Sequence, residues 1–223
     1  MVLFKINGER NSGTNFLTKL LQLNNFPVYT DRIEGDIYHH WKHGVPDPSV
    51  KELDERVVDI FIFRDLEKWL QSMSVNVYHL HHIPNFGKFL TCLQNSRETR
   101  YKDVHGRVLN HDDNGKTIFQ IRYYKFNEIM KYREQNKDII LINLSYLQNA
   151  YNVSLFLSDL NKRYFNNQHR IVACSISTHT KHGGAVKNTN YMIDLVNYKT
   201  IIHRDKDKGI ENFIKNLTYD IKE

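Results

Sequence analysis

INGERNSGTNFLTKLL (residues 6–21) places two glycines, Gly8 and Gly13, five positions apart, with polar and cationic residues between them. A short apolar run, VLFKI (2–6), precedes the pair. A helical pattern follows, marked by Phe16, Leu17, Leu20 and Leu21. Strand, glycine-bounded loop and helix together form an anion cradle, because backbone N–H groups converge at a helix N-terminus. The glycine spacing is that of the nucleotide-binding pattern G-x-x-x-x-G-K-[ST]. Thr14, however, stands where that pattern needs lysine, and Asn15 follows it. The loop is suited to a phosphate; its side chains are not those of an ordinary nucleotidase.

Further along, VVDIFIF (57–63), DIILINL (138–144) and RIVACSI (170–176) repeat the character of the first strand. Near-continuous runs of this kind suit strands buried on both faces of a parallel sheet. Helical patterns alternate with them, at Ile118, Ile121, Phe126, Ile129 and Tyr132, and again at Phe156, Leu157, Leu160 and Tyr164. A last stripe of Ile210, Phe213, Ile214, Leu217 and Ile221 reads as an amphipathic helix. The expected fold is one α/β domain over 1–223, with a central, mostly parallel sheet flanked by helices. Two stretches break the alternation. Residues 76–116 are polar, histidine-rich and turn-rich, and read as an irregular insertion that binds the acceptor. Residues 178–190, THTKHGGAVKNTN, form a basic glycine-containing loop.

Bulk properties narrow the function. A chain of 223 residues fits one core, since single cores serve up to about 250 residues. A composition of 40% hydrophobic and 25% charged residues is that of a folded soluble protein. No window approaches the ~18 apolar residues of a membrane span, and the N-terminus carries no leader pattern. A cytoplasmic location is expected. The two cysteines, Cys92 and Cys174, read as free thiols in a reducing compartment. A net charge of +6 favours an anionic ligand: nucleic acid, a bisphosphorylated nucleotide or an acidic glycan. Neither an aromatic platform nor a recognition-helix motif supports nucleic acid.

The second strand ends in RDLEKWLQS, which puts Arg64 at its C-terminal end and Ser72 eight residues on. Open α/β sheets bind ligands at that edge. The loop offers one phosphate site, and Arg64 with Ser72 a second, so the ligand expected is a nucleotide phosphorylated at both ends. GERNSGTN with FRDLEKWLQS resembles the paired motifs of the sulfotransferases that use 3′-phosphoadenosine 5′-phosphosulfate, and the first motif is closest to the heparan sulfate type. The resemblance covers the N-terminal third. It implies a P-loop-like fold and transfer of a sulfuryl group to a hydroxyl or amine of an acceptor, an acidic glycan among the candidates, without a metal. It implies further that Arg10, Asn11, Ser12, Gly13, Thr14 and Asn15 hold the 5′-phosphosulfate, and Arg64 and Ser72 the 3′-phosphate. In the family a basic residue stands two positions before the Gly-Thr pair, where this chain has Asn11. Either Arg10 takes over that contact with the leaving group or activity is impaired. Leu66 replaces the proline common after the arginine motif, and NLSYL (143–147) stands where a tyrosine-acid motif is usual.

IYHHWKHGVP (37–46) resembles the K-T-H-x-P segment of the cytosolic members. A base must take the proton of an attacking hydroxyl, and histidine, with a pKa of about 6.5, suits that role. His43 is the first candidate, and His40 and the upstream carboxylates Glu34 and Asp36 are the others. Lys42 would stabilise charge on the sulfuryl oxygens. The basic loop resembles the R-K-G loop that closes over the 3′-phosphate, with Lys181 or His182 supplying charge. His39, His40, His43, His79, His81 and His82 lack the Cys-x-x-Cys or H-E-x-x-H companions of a zinc site. Two other classes stay open: a P-loop kinase or NTPase, and a silent relative that binds nucleotide or polyanion.

Overall fold

The computed structural model describes residues 2–29, 43, 56–75, 100–102, 108–110, 117–136, 138–173 and 199–222. Strand β1 (Val2–Gly8) leads into helix α1 (Thr14–Leu23), and β2 (Arg56–Phe63) into α2 (Leu66–Val75). Two short strands, β3 (Arg100–Lys102) and β4 (Val108–Asn110), precede α3 (Ile118–Gln135) and β5 (Ile139–Asn143). A 3-10 turn (Tyr146–Gln148) then opens into α4 (Ala150–Phe165). Helices α5 (Lys199–Asp205) and α6 (Lys208–Asn216) and strand β6 (Tyr219–Ile221) complete the order.

The main sheet runs β1-β2-β5-β6. β1 pairs with β2, and β2 with β5, in parallel, whereas β6 closes the far edge antiparallel to β5. On its other side β1 makes a parallel bridge from Phe4 to Val28. There Phe4 N–H donates to the Pro27 carbonyl (2.9 Å) and Tyr29 N–H to the Phe4 carbonyl (2.8 Å). The chain therefore leaves β1 toward one side through α1 and Val28, and returns on the other as β2. That makes the C-terminal end of β1 a switch point, where open α/β sheets form their binding crevice.

The strand runs are apolar on both faces because both faces are covered. Phe4, Ile6, Ile60, Ile62 and Ile142 pack with Leu17 and Leu20 of α1 and Phe156 and Leu160 of α4. Phe61, Phe63 and Leu141 pack on the opposite face with Phe126 and Ile129 of α3 and Ile214 of α6. Local chemistry sets the helix starts. Thr117 and Gln120 form a capping box at α3, and the side chains of Asn149 and Asp207 accept first-turn amides at α4 and α6.

Three expectations need correction. The last stripe is not one helix: α6 stops at Asn216, Leu217 turns to φ −66, ψ 120, and Ile221 lies in β6. The exposed edge of β5 supplies three ladder pairs to Tyr219–Ile221, and these outweigh continuing an isolated helical turn. The run at 170–176 forms no strand over its described part, 170–173, and Val172 is 53% exposed. Asn24 takes the place of a strand partner there, accepting from Val172 N–H (2.5 Å) and donating to its carbonyl (3.1 Å). Residues 174–176 lie outside the described residues. The insertion at 76–116 is not irregular throughout, since β3 and β4 pair antiparallel within it. No helix among the described residues is long and apolar enough to cross a membrane.

Candidate anion site at the switch point

The loop between β1 and α1 is pinned at every corner. A Cβ on Gly8 would stand 2.6 Å from the Ile62 carbonyl oxygen, so only glycine lets β1 and β2 run this close at their ends. Gly13, the N-cap of α1, has φ 104, and a Cβ there would meet Leu144 at 2.6 Å. Asn11 also adopts the left-handed conformation, at φ 61, which asparagine tolerates better than most residues. Ser12 is fully buried, and its N–H (3.1 Å) and hydroxyl (2.6 Å) both donate to the Glu9 carbonyl. That hydroxyl closes the loop.

The next two carbonyls are held from outside. Trp69 Nε1 of α2 donates to the Arg10 carbonyl (2.8 Å), and Arg64 Nη1 to the Asn11 carbonyl (2.9 Å). The loop leads into the first turn of α1, whose N–H groups have no intrahelical acceptor and receive no side-chain cap from Gly13. Such an arrangement of N–H groups at a helix N-terminus receives an anion. Asn11 donates its side-chain amide to Met73 Sδ, so it braces the loop against α2.

Arg64 brings the charge. Burial, only partly offset by Asp65, pulls its pKa below the usual arginine value. Its Nε is buried and has no hydrogen-bond partner. Asp65 is engaged elsewhere: it accepts from Asn143 Nδ2 (2.9 Å) and Ser145 Oγ (2.6 Å) and pairs with Lys68 (3.4 Å). Burial pushes the Asp65 pKa up, but these partners overcome it and hold the group below its ordinary value. A half-buried guanidinium whose Nε has no hydrogen-bond partner, beside a loop at a helix N-terminus, is a place for an anionic oxygen.

His43 lies at the same end of β1. It is buried, and its Nδ1 sits 2.7 Å from the Gly8 carbonyl. A carbonyl only accepts, so Nδ1 carries the proton and the neutral ring has its acceptor lone pair on Nε2. His43, Glu9, Arg122 and Lys125 line one narrow pocket, walled on its apolar side by Phe61 and Phe126.

The structure thus gathers Arg10, Asn11, Ser12, Gly13, Thr14, Arg64 and His43 around one loop. Thr14 is buried, Asn15 is exposed, and Ser72 is half-buried on α2 beside Met73. Lys42, Lys181, His182, His40, Glu34 and Asp36 lie outside the described residues, as do His39, His79, His81 and His82. No group of three or more histidine, cysteine or acidic side chains among the described residues could hold a metal.

Sequence reasoning missed the supports. Arg122 donates to Glu9 through Nη1, to Glu211 through Nε (2.7 Å) and Nη2 (3.0 Å), and to the Arg64 carbonyl through Nη2 (2.9 Å). Burial disfavours its charge, but Glu9 and Glu211 more than compensate and raise its pKa. One signal was available: Arg122 and Lys125 fall on the apolar stripe of α3, four residues before Phe126 and Ile129 respectively. A cation on a buried stripe must be paired.

Comparison with protein-family models, with curated proteins and with solved structures gives no match to this chain.

Proposed function

We propose that the chain is a sulfotransferase of P-loop-like architecture, taking its sulfuryl group from 3′-phosphoadenosine 5′-phosphosulfate. The observation that carries this reading is Arg64: a half-buried cation at the C-terminal end of β2, bonded to the loop carbonyl of Asn11 and keeping a buried Nε donor without a partner. In the sequence it belongs to one of the two motifs that resemble that family; the loop it touches is the other.

In this reading the loop amides hold the 5′-phosphosulfate and Arg64, with Ser72, holds the 3′-phosphate. The acceptor oxygen attacks sulfur while the bond from sulfur to the bridging oxygen breaks. The electron pair of that bond goes to the departing 5′-phosphate. His43 Nε2 takes the acceptor proton, and Arg10 stabilises the charge growing on the leaving oxygen. The acceptor is a hydroxyl or amine, with an acidic glycan as one candidate given the net charge of +6.

A kinase or NTPase reading is disfavoured by Thr14. The residue in the lysine position is buried at the start of α1 and carries no charge to reach transferring phosphates. A silent polyanion-binding relative differs from the proposed enzyme in turnover alone. Calorimetric titration with 3′-phosphoadenosine 5′-phosphate, with ATP as control, tests the proposal. Selective binding of the bisphosphate is expected, and tighter binding of ATP would overturn it. Transfer of labelled sulfate to an acceptor then separates enzyme from silent relative.

A further inference from the structure

An anion loop that carries a carboxylate works against itself. Glu9 is 7% exposed and sits between Gly8 and Arg10, where its charge would repel a bound phosphate. Arg122, 2% exposed, lies against it and cancels that charge. The same guanidinium is gripped by Glu211 of α6 in a two-point fork, 2.7 and 3.0 Å. Its Cζ lies over the Trp69 ring, 4.7 Å from the ring centre. Trp69 in turn holds the Arg10 carbonyl, and Arg64, whose own carbonyl accepts from Arg122, holds that of Asn11. The ion pair at Glu9 and the ties on the Arg10 and Asn11 carbonyls thus meet at Arg122, directly or through one neighbour.

We infer that Arg122 is a positioning residue for the anion site, and that through it Glu211 of the C-terminal helix sets the affinity of the loop after β1. The inference rests on the reading of that loop as a nucleotide site. It follows from fork geometry. A planar guanidinium meets a carboxylate at two points and fixes its own orientation, which an ammonium cannot do. Glu211 orients Arg122, and an oriented Arg122 holds Glu9, Arg64 and the Trp69 ring in register. Loosening the fork leaves the Glu9 charge poorly cancelled and frees the donors that hold the two loop carbonyls.

The test compares Glu211→Gln and Arg122→Lys with Phe213→Ala. The last loosens α6 by removing the ring packed on Phe126 at 5.4 Å, yet touches none of the fork. Each protein is titrated with 3′-phosphoadenosine 5′-phosphate below its own melting temperature. Hydrogen exchange of the amides at 9–15 is followed in parallel. Glu211→Gln is expected to weaken binding roughly tenfold, the worth of one charge-assisted bond, with faster exchange in the loop. Arg122→Lys should behave alike, and Phe213→Ala should melt earlier with affinity and loop exchange unchanged. Wild-type affinity and exchange in both fork variants, or equal losses in Phe213→Ala, would overturn the inference. If the wild type fails to bind the bisphosphate, the nucleotide reading falls; loop exchange in the same variants then decides whether the fork positions the loop.

Discussion

Arg64 Nη1 donates to the carbonyl of Asn11 at 2.9 Å, so the cation that ends β2 and the loop that follows β1 form one unit. The sequence places them 53 residues apart, in two separate motifs. Their parallel pairing, with Gly8 opposite Ile62, brings them together. The end of the second strand thus holds the loop, and the loop gives Arg64 an acceptor.

On the proposed reading, Arg64→Ala removes a ligand contact together with a loop tie. Nucleotide affinity is expected to fall by about 2–3 kcal/mol, as for a charge-assisted bond to phosphate. Arg64→Lys should recover little, because an ammonium cannot serve Asn11 and a phosphate oxygen with fork geometry. Calorimetry on both variants checks this, and unchanged affinity in the alanine variant would place the 3′ site elsewhere.

The two glycines should fail differently. Gly13→Ala forces a side chain into φ 104 and onto the mobile end of Leu144. A loss of roughly 1–3 kcal/mol in urea unfolding is expected, the usual range for backbone strain. Gly8→Ala meets the Ile62 carbonyl, which belongs to the ladder and cannot rotate away, so its cost should exceed that of Gly13→Ala. The reverse order would mean that the β1–β2 pairing gives way more easily than the helix start.

How much of this was legible? The parallel strands were, because burial on both faces writes itself as unbroken apolar runs. The loop was too, because positive φ and close strand approach both select glycine. The misreadings share a physical origin. Periodicity could not show that Leu217 turns the chain toward an open edge of β5, nor that Asn24 would stand in for a strand beside Val172. Such choices depend on which edges remain unpaired once the sheet has formed. The Glu9–Arg122–Glu211 cluster was hidden for a related reason: its members are 113 and 89 residues apart, and only the stripe position of Arg122 marks it.

Acid should expose the cluster at the end of β5. The folded-state pKa of Asp65 lies below its ordinary value of 3.8. The unfolded chain therefore binds a proton first as pH falls. The stability contributed is present in full above the ordinary carboxylate range and is lost as pH drops through the folded-state value. Asp65→Asn should flatten that part of the acid limb when melting temperature is followed from neutral to acid pH. Parallel curves for the two proteins would show that another carboxylate governs the limb.

Arg10 is the one cation within the loop, and Asn11 is occupied in bracing Met73. If Arg10 meets the leaving oxygen, its contact strengthens as charge develops there. Arg10→Ala should then depress turnover more than nucleotide affinity. Equal losses in both would mean that it binds ground state and transition state alike. No loss in either would shift the role to Lys42.

His43 offers the sharpest separation of chemistry from structure. Its Nδ1–H donates to the Gly8 carbonyl at 2.7 Å, so deleting the ring removes both the proposed base and a tie on β1. His43→Asn keeps the tie, since the amide nitrogen of asparagine falls near the place of Nδ1 and also donates. It has no basic nitrogen to replace Nε2. Turnover in His43→Asn should fall by about 10²–10⁴-fold, the usual worth of general-base assistance, with nucleotide affinity retained. His43→Ala should lose the same turnover and also melt earlier, having left the Gly8 carbonyl without its donor. Near-wild-type turnover in His43→Asn would make the ring a structural tie alone, and the search for the base would pass to His40, Glu34 and Asp36.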